Sequence, residues 1–196
     1  MICAIVPAAG RSSRMGAQKL LLEFAGTTVI GHIADQLLNS TIDEICVVVG
    51  DQGGRIAEEL TARNVSIVAN PNPDEGMLSS VRCGLKAFGP DCSAVLIALG
   101  DQPTISTSLV DRMIHAFADA KKGIIVPVHD SRRGHPLLFS AKYRDEILTH
   151  YDDVGLRGLL RAHQDDIAEL PVDSDSVLLD MDYPEDYDRI VKKHKP

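Results

Sequence analysis

Ile2-Cys3-Ala4-Ile5-Val6-Pro7-Ala8-Ala9 is an unbroken apolar run that gives way to Gly10-Arg11-Ser12-Ser13-Arg14-Met15-Gly16, with Lys19 three residues further on. An apolar run of this length, ended by glycine, predicts a strand buried on both faces. The segment behind it predicts a loop at the carboxyl end of that strand, carrying two arginines, two hydroxyls and a lysine. Such a loop suits a polyphosphate, because free backbone N–H groups and cationic side chains together neutralise phosphate charge. Its spacing is not that of a P-loop, in which four residues separate the glycines; here five intervene between Gly10 and Gly16. The dinucleotide fingerprint G-x-G-x-x-G is also missing. A basic surface turn is the alternative reading of the same residues.

Working outward, strand and helix patterns alternate. Strands are predicted over Ile2–Ala9, Glu44–Gly50, Val65–Ala69, Ala94–Leu99 and Gly123–Val128. Helices are predicted over Val29–Leu38, Gly54–Arg63, Leu78–Phe88 and Ser108–Ala120. Runs such as Cys46-Val47-Val48-Val49 are apolar at every position, as parallel strands covered on both sides by helices must be. The fold class is therefore α/β, and ligands are expected at the carboxyl ends of the strands. The last third is less regular. His129–His135 predicts a polar loop, Leu137–Phe139 a strand, and Ala141–His150 and Gly155–His163 two helices. Val177–Met181 predicts a further strand and Pro184–Lys193 a closing helix. No repeat or linker divides the chain, so residues 1–196 are expected to form one domain.

Composition narrows the function. A formal net charge of −8 argues against a general nucleic-acid binder, and it sets Arg11, Arg14 and Lys19 against an acidic background. Cys3, Cys46, Cys83 and Cys92 form no C-x-x-C pair, which disfavours a zinc knuckle or thioredoxin-like site and fits a reducing, cytoplasmic compartment. No apolar segment reaches membrane-spanning length, so no membrane partner is expected.

Four further segments carry polar chemistry. In Leu99-Gly100-Asp101-Gln102-Pro103, Asp101 either holds a Mg²⁺ beside the phosphate loop or caps a turn before Pro103. In Leu179-Asp180-Met181-Asp182-Tyr183-Pro184, Asp180 and Asp182 are expected on one side of a strand. Either could complete a metal site with Asp101, or Asp182 could simply open a helix. Ser79 and Ser80 either contact a nucleotide or cap a helix. Arg132-Arg133-Gly134-His135-Pro136 places basic residues and a histidine in a glycine-hinged loop, and Asp152, Asp153, Gly155 and Arg157 form a milder polar cluster. A basic glycine loop, a strand-end aspartate and a distant acidic segment together favour metal-assisted chemistry on a nucleoside triphosphate, for which positioning and charge neutralisation can suffice.

The order of these segments resembles the MobA-like nucleotidyltransferases, and most closely their molybdenum cofactor cytidylyltransferase branch. The resemblance rests on Pro7 to Gly16 with Lys19-Leu20-Leu21-Leu22, Asn70-Pro71, Gly76-Met77, Ser79-Ser80, Gly84-Leu85, Leu99 to Pro103, Arg133-Gly134-His135-Pro136, Gly155-Leu156-Arg157 and Asp180 to Asp186. It implies a Rossmann-like, mostly parallel nucleotidyltransferase fold. It also implies transfer of CMP from CTP to the terminal phosphate of molybdopterin, with pyrophosphate leaving. By the same resemblance, Ala8, Ala9, Gly10, Arg11, Ser12, Lys19, Ser79, Ser80 and Gly84 bind nucleotide, and Lys19, Arg14 and Asp101 are catalytic. Asp101 and Asp182 hold Mg²⁺, while Arg133, Gly134, His135 and Arg157 face the pterin. A molybdoenzyme or its chaperone would be a partner. Ala8-Ala9-Gly10 stands where the guanylyl branch reads Ala-Gly-Gly, and a methyl at Ala9 would narrow the space for a purine, favouring CTP. Tyr183 and Asp153 depart from the residues usual at their positions. Competing readings are a GTP- or CTP-dependent transferase acting on another phosphate acceptor, and a non-catalytic protein that delivers nucleotide or cofactor.

Overall fold

The computed structural model describes residues 1–10, 15, 18–51 and 53–194. The opening run forms β1 (Ile2–Ala8). A small hairpin, β2 (Glu23–Phe24) and β3 (Thr27–Thr28), leads into α1 (Val29–Leu38). There follow β4 (Glu44–Val49), α2 (Gly54–Glu59), β5 (Ser66–Ala69), α3 (Met77–Ala87), β6 (Ala94–Ile97) and α4 (Thr107–Ala120). The second half holds β7 (Ile124–His129), β8 (Arg132–Arg133), β9 (Leu137–Ser140), α5 (Arg144–Thr149), α6 (Leu156–Ala162), β10 (Ile167–Pro171) and α7 (Pro184–Lys193).

Among the described residues the main sheet runs β10-β7-β9-β6-β1-β4-β5, with β8 paired to β7. The β1–β4, β1–β6, β4–β5 and β7–β10 pairs are parallel. Strand β9 is antiparallel to both β6 and β7. Its approach explains this: the β7–β8 hairpin reverses the chain, and a strand that returns directly, without a crossover helix, must run antiparallel. Side chains alternate between two cores. Ala4, Val6 and Ala8 of β1 join Val47 and Leu96 under α1, α2, α4 and α7, whereas Cys3 and Ile5 join Val48 and Ile97 under α3, α5 and α6. Each face buries branched apolar side chains worth about 1.5–3 kcal/mol apiece.

Two predictions about the last third are corrected. Val177–Met181 is not a strand: Asp175–Leu178 forms a 3-10 turn, opened by Ser174, whose Oγ accepts from the Ser176 amide at 3.1 Å. The strand of this region is β10, in a segment for which no element was predicted, and it pairs with β7. Its burial alternates weakly, as befits an edge. Likewise the loop predicted over His129–His135 contains β8, whose two residues pair with His129 and Val128.

Chain order places the crevice. After β5 the chain crosses back so that β6 lies on the opposite side of β1 from β4, which makes the carboxyl ends of β1 and β6 a topological switch point. Close approach is possible there because a Cβ on Gly100 would stand 2.8 Å from the Pro7 carbonyl oxygen.

Candidate active site

A cavity of about 380 Å³ opens at that switch point, lined by Pro7 to Gly10, Met15, Lys19, Leu20, Gly76, Met77, Ser80, Leu99, Gly100, Asp101 and Asp182 among others. Its walls are the end of β1, the start of α3 and the turn after β6. The apolar β1 tail delivers Ala9 and Gly10 to the rim. Gly76, at φ +84°, turns the chain into α3 in a conformation that disfavours a side chain. Arg11, Ser12 and Arg14 lie outside the described residues.

Lys19 is the centre of charge. Its Nζ donates to Asp101 Oδ2 at 2.7 Å, to the Met181 carbonyl at 2.9 Å and to Asp182 Oδ1 at 3.3 Å. The lysine side chain is only 13 % exposed, against 27 % for Asp101 and 45 % for Asp182. The Met181 amide in turn donates to the Asp101 carbonyl at 3.0 Å, so the segment before α7 is strapped to the end of β6. Asp180 and Asp182 do not share a side, contrary to the strand-based expectation. With no ladder to enforce alternation, Asp182 turns to Lys19, whereas Asp180 accepts from Gln102 Nε2. Among the described residues no group of three or more His, Cys, Asp or Glu side chains converges. The oxygens around the ammonium, two carboxylates and a carbonyl, are nevertheless a hard donor set already seating one cation. That set fits Mg²⁺, which takes one or two carboxylates and leaves other positions to water and phosphate.

Ser80 lines the cavity, but Ser79 and Gly84 do not. Ser79 Oγ reaches back to the carbonyls of Gly76 at 2.8 Å and Asn72 at 3.0 Å, which ties down the helix start. Gly84 faces the sheet, where an added Cβ would lie 2.8 Å from Ile5 Cδ1. Behind both serines sits buried Asn70, whose Nδ2 donates to Ser79 Oγ at 2.8 Å and Ser80 Oγ at 3.0 Å, while Oδ1 accepts from the Asn72 amide at 2.9 Å. Asn70 stood in the motif but carried no role; an asparagine ahead of proline in an otherwise apolar strand exit was its only signal.

A second cavity, about 650 Å³, abuts the first across Met77 and Leu99. Here the structure brings together Arg133, Gly134, His135 and Arg157, with Arg132, Gln102 and Asp180. The Gly134 amide donates to the Pro127 carbonyl and the His135 amide to that of Val177, both at 2.9 Å, which fixes the loop. Arg133 Nε also pairs with Glu169 of β10 at 2.8 Å. His135 Nδ1 is buried with no partner among the described residues. Burial holds this imidazole below its ordinary pKa; Asp180 and Asp101 oppose that shift and Arg157 adds to it. Gln102 and Arg82 carried no role in the sequence reading. Arg82 donates to the carbonyls of Ile147 at 2.9 Å and His150 at 2.8 Å and pairs with Asp152, so α3 holds the loop that leads to Arg157.

A Rossmann-like sheet with a cationic, carboxylate-rimmed crevice at its switch point defines a nucleotidyltransferase architecture. The chain belongs to the family of the MobA-like NTP transferase domain, whose model matches residues 4–167, and the protein is a nucleotidyltransferase. It is 27 % identical to the molybdenum cofactor cytidylyltransferase of Escherichia coli over 187 residues, 95 % of this chain and 93 % of that one. It is 28 % identical to nicotine blue oxidoreductase of Paenarthrobacter nicotinovorans over 82 % of this chain and 81 % of that one. Among solved structures it is similar to Rv0371c of Mycobacterium tuberculosis, with 29 % identity, a TM-score of 0.83 and coverage of 97 % of this chain and 98 % of that one. Rv0371c has also been solved in complex with manganese. No described helix is long and apolar enough to cross a membrane.

Proposed function

We propose that the protein moves CMP from CTP to the terminal phosphate of molybdopterin and releases pyrophosphate, with Mg²⁺ as its cofactor. The observation that carries this reading is the convergence of Asp101, Asp182 and Lys19 at the rim of the first cavity, beside a second cavity lined by arginines. An oxygen of the acceptor phosphate attacks the α-phosphorus of CTP, and the bond from that phosphorus to the bridging oxygen breaks with pyrophosphate as leaving group. Asp101 and Asp182 would hold the metal, which when bound supplies charge neutralisation on the phosphates. The Ala8–Gly10 backbone borders the nucleotide, Ser80 stands at the opposite wall and Lys19 reaches the triphosphate. Arg11, Ser12 and Arg14 complete the loop in this reading.

The second cavity takes the acceptor. Arg133 and Arg157 suit its phosphate, and Met77, Val154 and Leu160 offer apolar surface for a flat ring system. Neutral His135 can give or take one hydrogen bond there. Ala9, on the wall of the first cavity, narrows the base site toward cytosine. The likeness to the E. coli cytidylyltransferase supports the choice of CTP and of the molybdopterin acceptor. One similar relative is named an oxidoreductase, but the carboxylate–lysine cluster suits the nucleotidyl transfer of the family. Pyrophosphate release is to be measured with each of the four nucleoside triphosphates and with molybdopterin or simple phosphate acceptors. CTP with molybdopterin should be turned over fastest, and Asp101→Ala should reduce that rate at least about 100-fold while remaining folded. Equal turnover of GTP, or full activity of Asp101→Ala, would refute the reading.

A further inference from the structure

Lys19, which the proposed function gives to the triphosphate, is engaged in the structure by the two carboxylates given to the metal. An ammonium has three N–H donors, and those of Lys19 have three oxygen acceptors in reach: Asp101 Oδ2, Asp182 Oδ1 and the Met181 carbonyl. Two of those oxygens belong to the carboxylates that the proposed function gives to Mg²⁺. A divalent cation and an ammonium in contact with the same carboxylates repel one another, so each weakens the hold of the other. The lysine is well placed to leave, because it lines the same cavity as Ala9 and Gly10, beside which a triphosphate would lie.

We infer that Lys19 is a resident counter-cation: it holds the two carboxylates before substrate arrives, yields them to metal alone only at high metal concentration, and yields them readily when metal and triphosphate arrive together. The segment around Met181 is then strapped to the end of β6 before substrate enters. Metal alone must compete with a tethered, nearly buried ammonium and so binds weakly. Metal with nucleotide meets no such competition, because the triphosphate supplies new acceptors for the displaced lysine. Lys19 thus makes tight binding of the metal conditional on the nucleotide. This inference rests on the assignment of Asp101 and Asp182 to the metal.

The test uses Mn²⁺ alone, its free concentration read by electron paramagnetic resonance, on the full chain without nucleotide. Lys19→Met should bind Mn²⁺ roughly 10-fold or more tightly than the unaltered protein, and Asp101→Asn should abolish that gain. Equal or weaker binding by Lys19→Met, with binding still lost in Asp101→Asn, overturns the role of Lys19 and leaves the metal assignment standing. Mn²⁺ binding that is indifferent to Asp101→Asn in both backgrounds overturns both. A second measurement needs no substitution. Acetylation of Lys19 in the unaltered protein, followed by mass spectrometry, should quicken several-fold when Mn²⁺ saturates the site. An unchanged rate refutes displacement.

Discussion

Replacing Asn70 with alanine tests the link between the fold and the nucleotide wall. The amide is 2 % exposed and makes three hydrogen bonds at 2.8–3.0 Å, to Ser79, Ser80 and the Asn72 amide. Alanine removes all three, and leaves the Asn72 amide and the Ser80 hydroxyl short of a partner where water has little access. At about 1 kcal/mol per net bond, with part of a desolvation penalty added, the loss should be about 2–4 kcal/mol. For a chain of this size that lowers the melting temperature by about 5–15 °C. Urea unfolding followed by circular dichroism measures the loss. CTP titration well below the transition measures its consequence, since Ser80 and Met77 on the loosened helix start line the first cavity. Asn70→Asp separates shape from hydrogen bonding: it keeps the acceptor toward Asn72 but turns an oxygen toward the two serines. It should be destabilised at neutral pH and recover at acid pH, where a protonated carboxyl can again donate. Stability of Asn70→Ala within about 0.5 kcal/mol of the unaltered protein would refute the reasoning.

Gly84→Ala should cost about 1–3 kcal/mol in urea unfolding, because its Cβ would meet all three side-chain carbons of Ile5 beyond Cβ at 2.8–2.9 Å. CTP affinity of the folded variant should be kept, and a loss of affinity without loss of stability would refute a packing role and place Gly84 at the nucleotide. Asp166 accepts from Lys142 and from Tyr143, and these bonds lower its carboxyl from 3.8 to about 2. A depressed carboxyl contributes stability above its unfolded pKa and loses it as pH falls through the folded one. Asp166→Asn should therefore melt lower than the unaltered protein at neutral pH, with the gap closing between 3.8 and about 2; a gap independent of pH would refute the assignment.

Much of the architecture was legible because its signals are local. Apolar runs such as Ile2–Ala9 and Cys46–Val49 can be buried only by helices on both faces, and α1 and α7 occupy Val29–Leu38 and Pro184–Lys193 as their patterns and the Pro184 start predict. Where local preference is weak the sequence misleads. The stretch Val177–Met181 has the composition of a strand, but β10 holds the place beside β7, and a sheet edge accepts whichever segment arrives with free backbone groups in register.

The sequence by itself determined the layered α/β class and the apolar strand at its centre, because periodicity and composition are properties of neighbours in the chain. Only the tertiary structure decided which groups meet. It set Lys19 between Asp101 and Asp182, more than 80 and 160 residues away, sent Asp180 to Gln102 instead, and brought Gly84 against Ile5 and Ser79 Oγ onto the Gly76 carbonyl. The physical reason is that hydrogen bonds and ion pairs depend on separations of a few ångströms. Over such sequence distances, those separations are fixed by how strands order within the sheet and by nothing local.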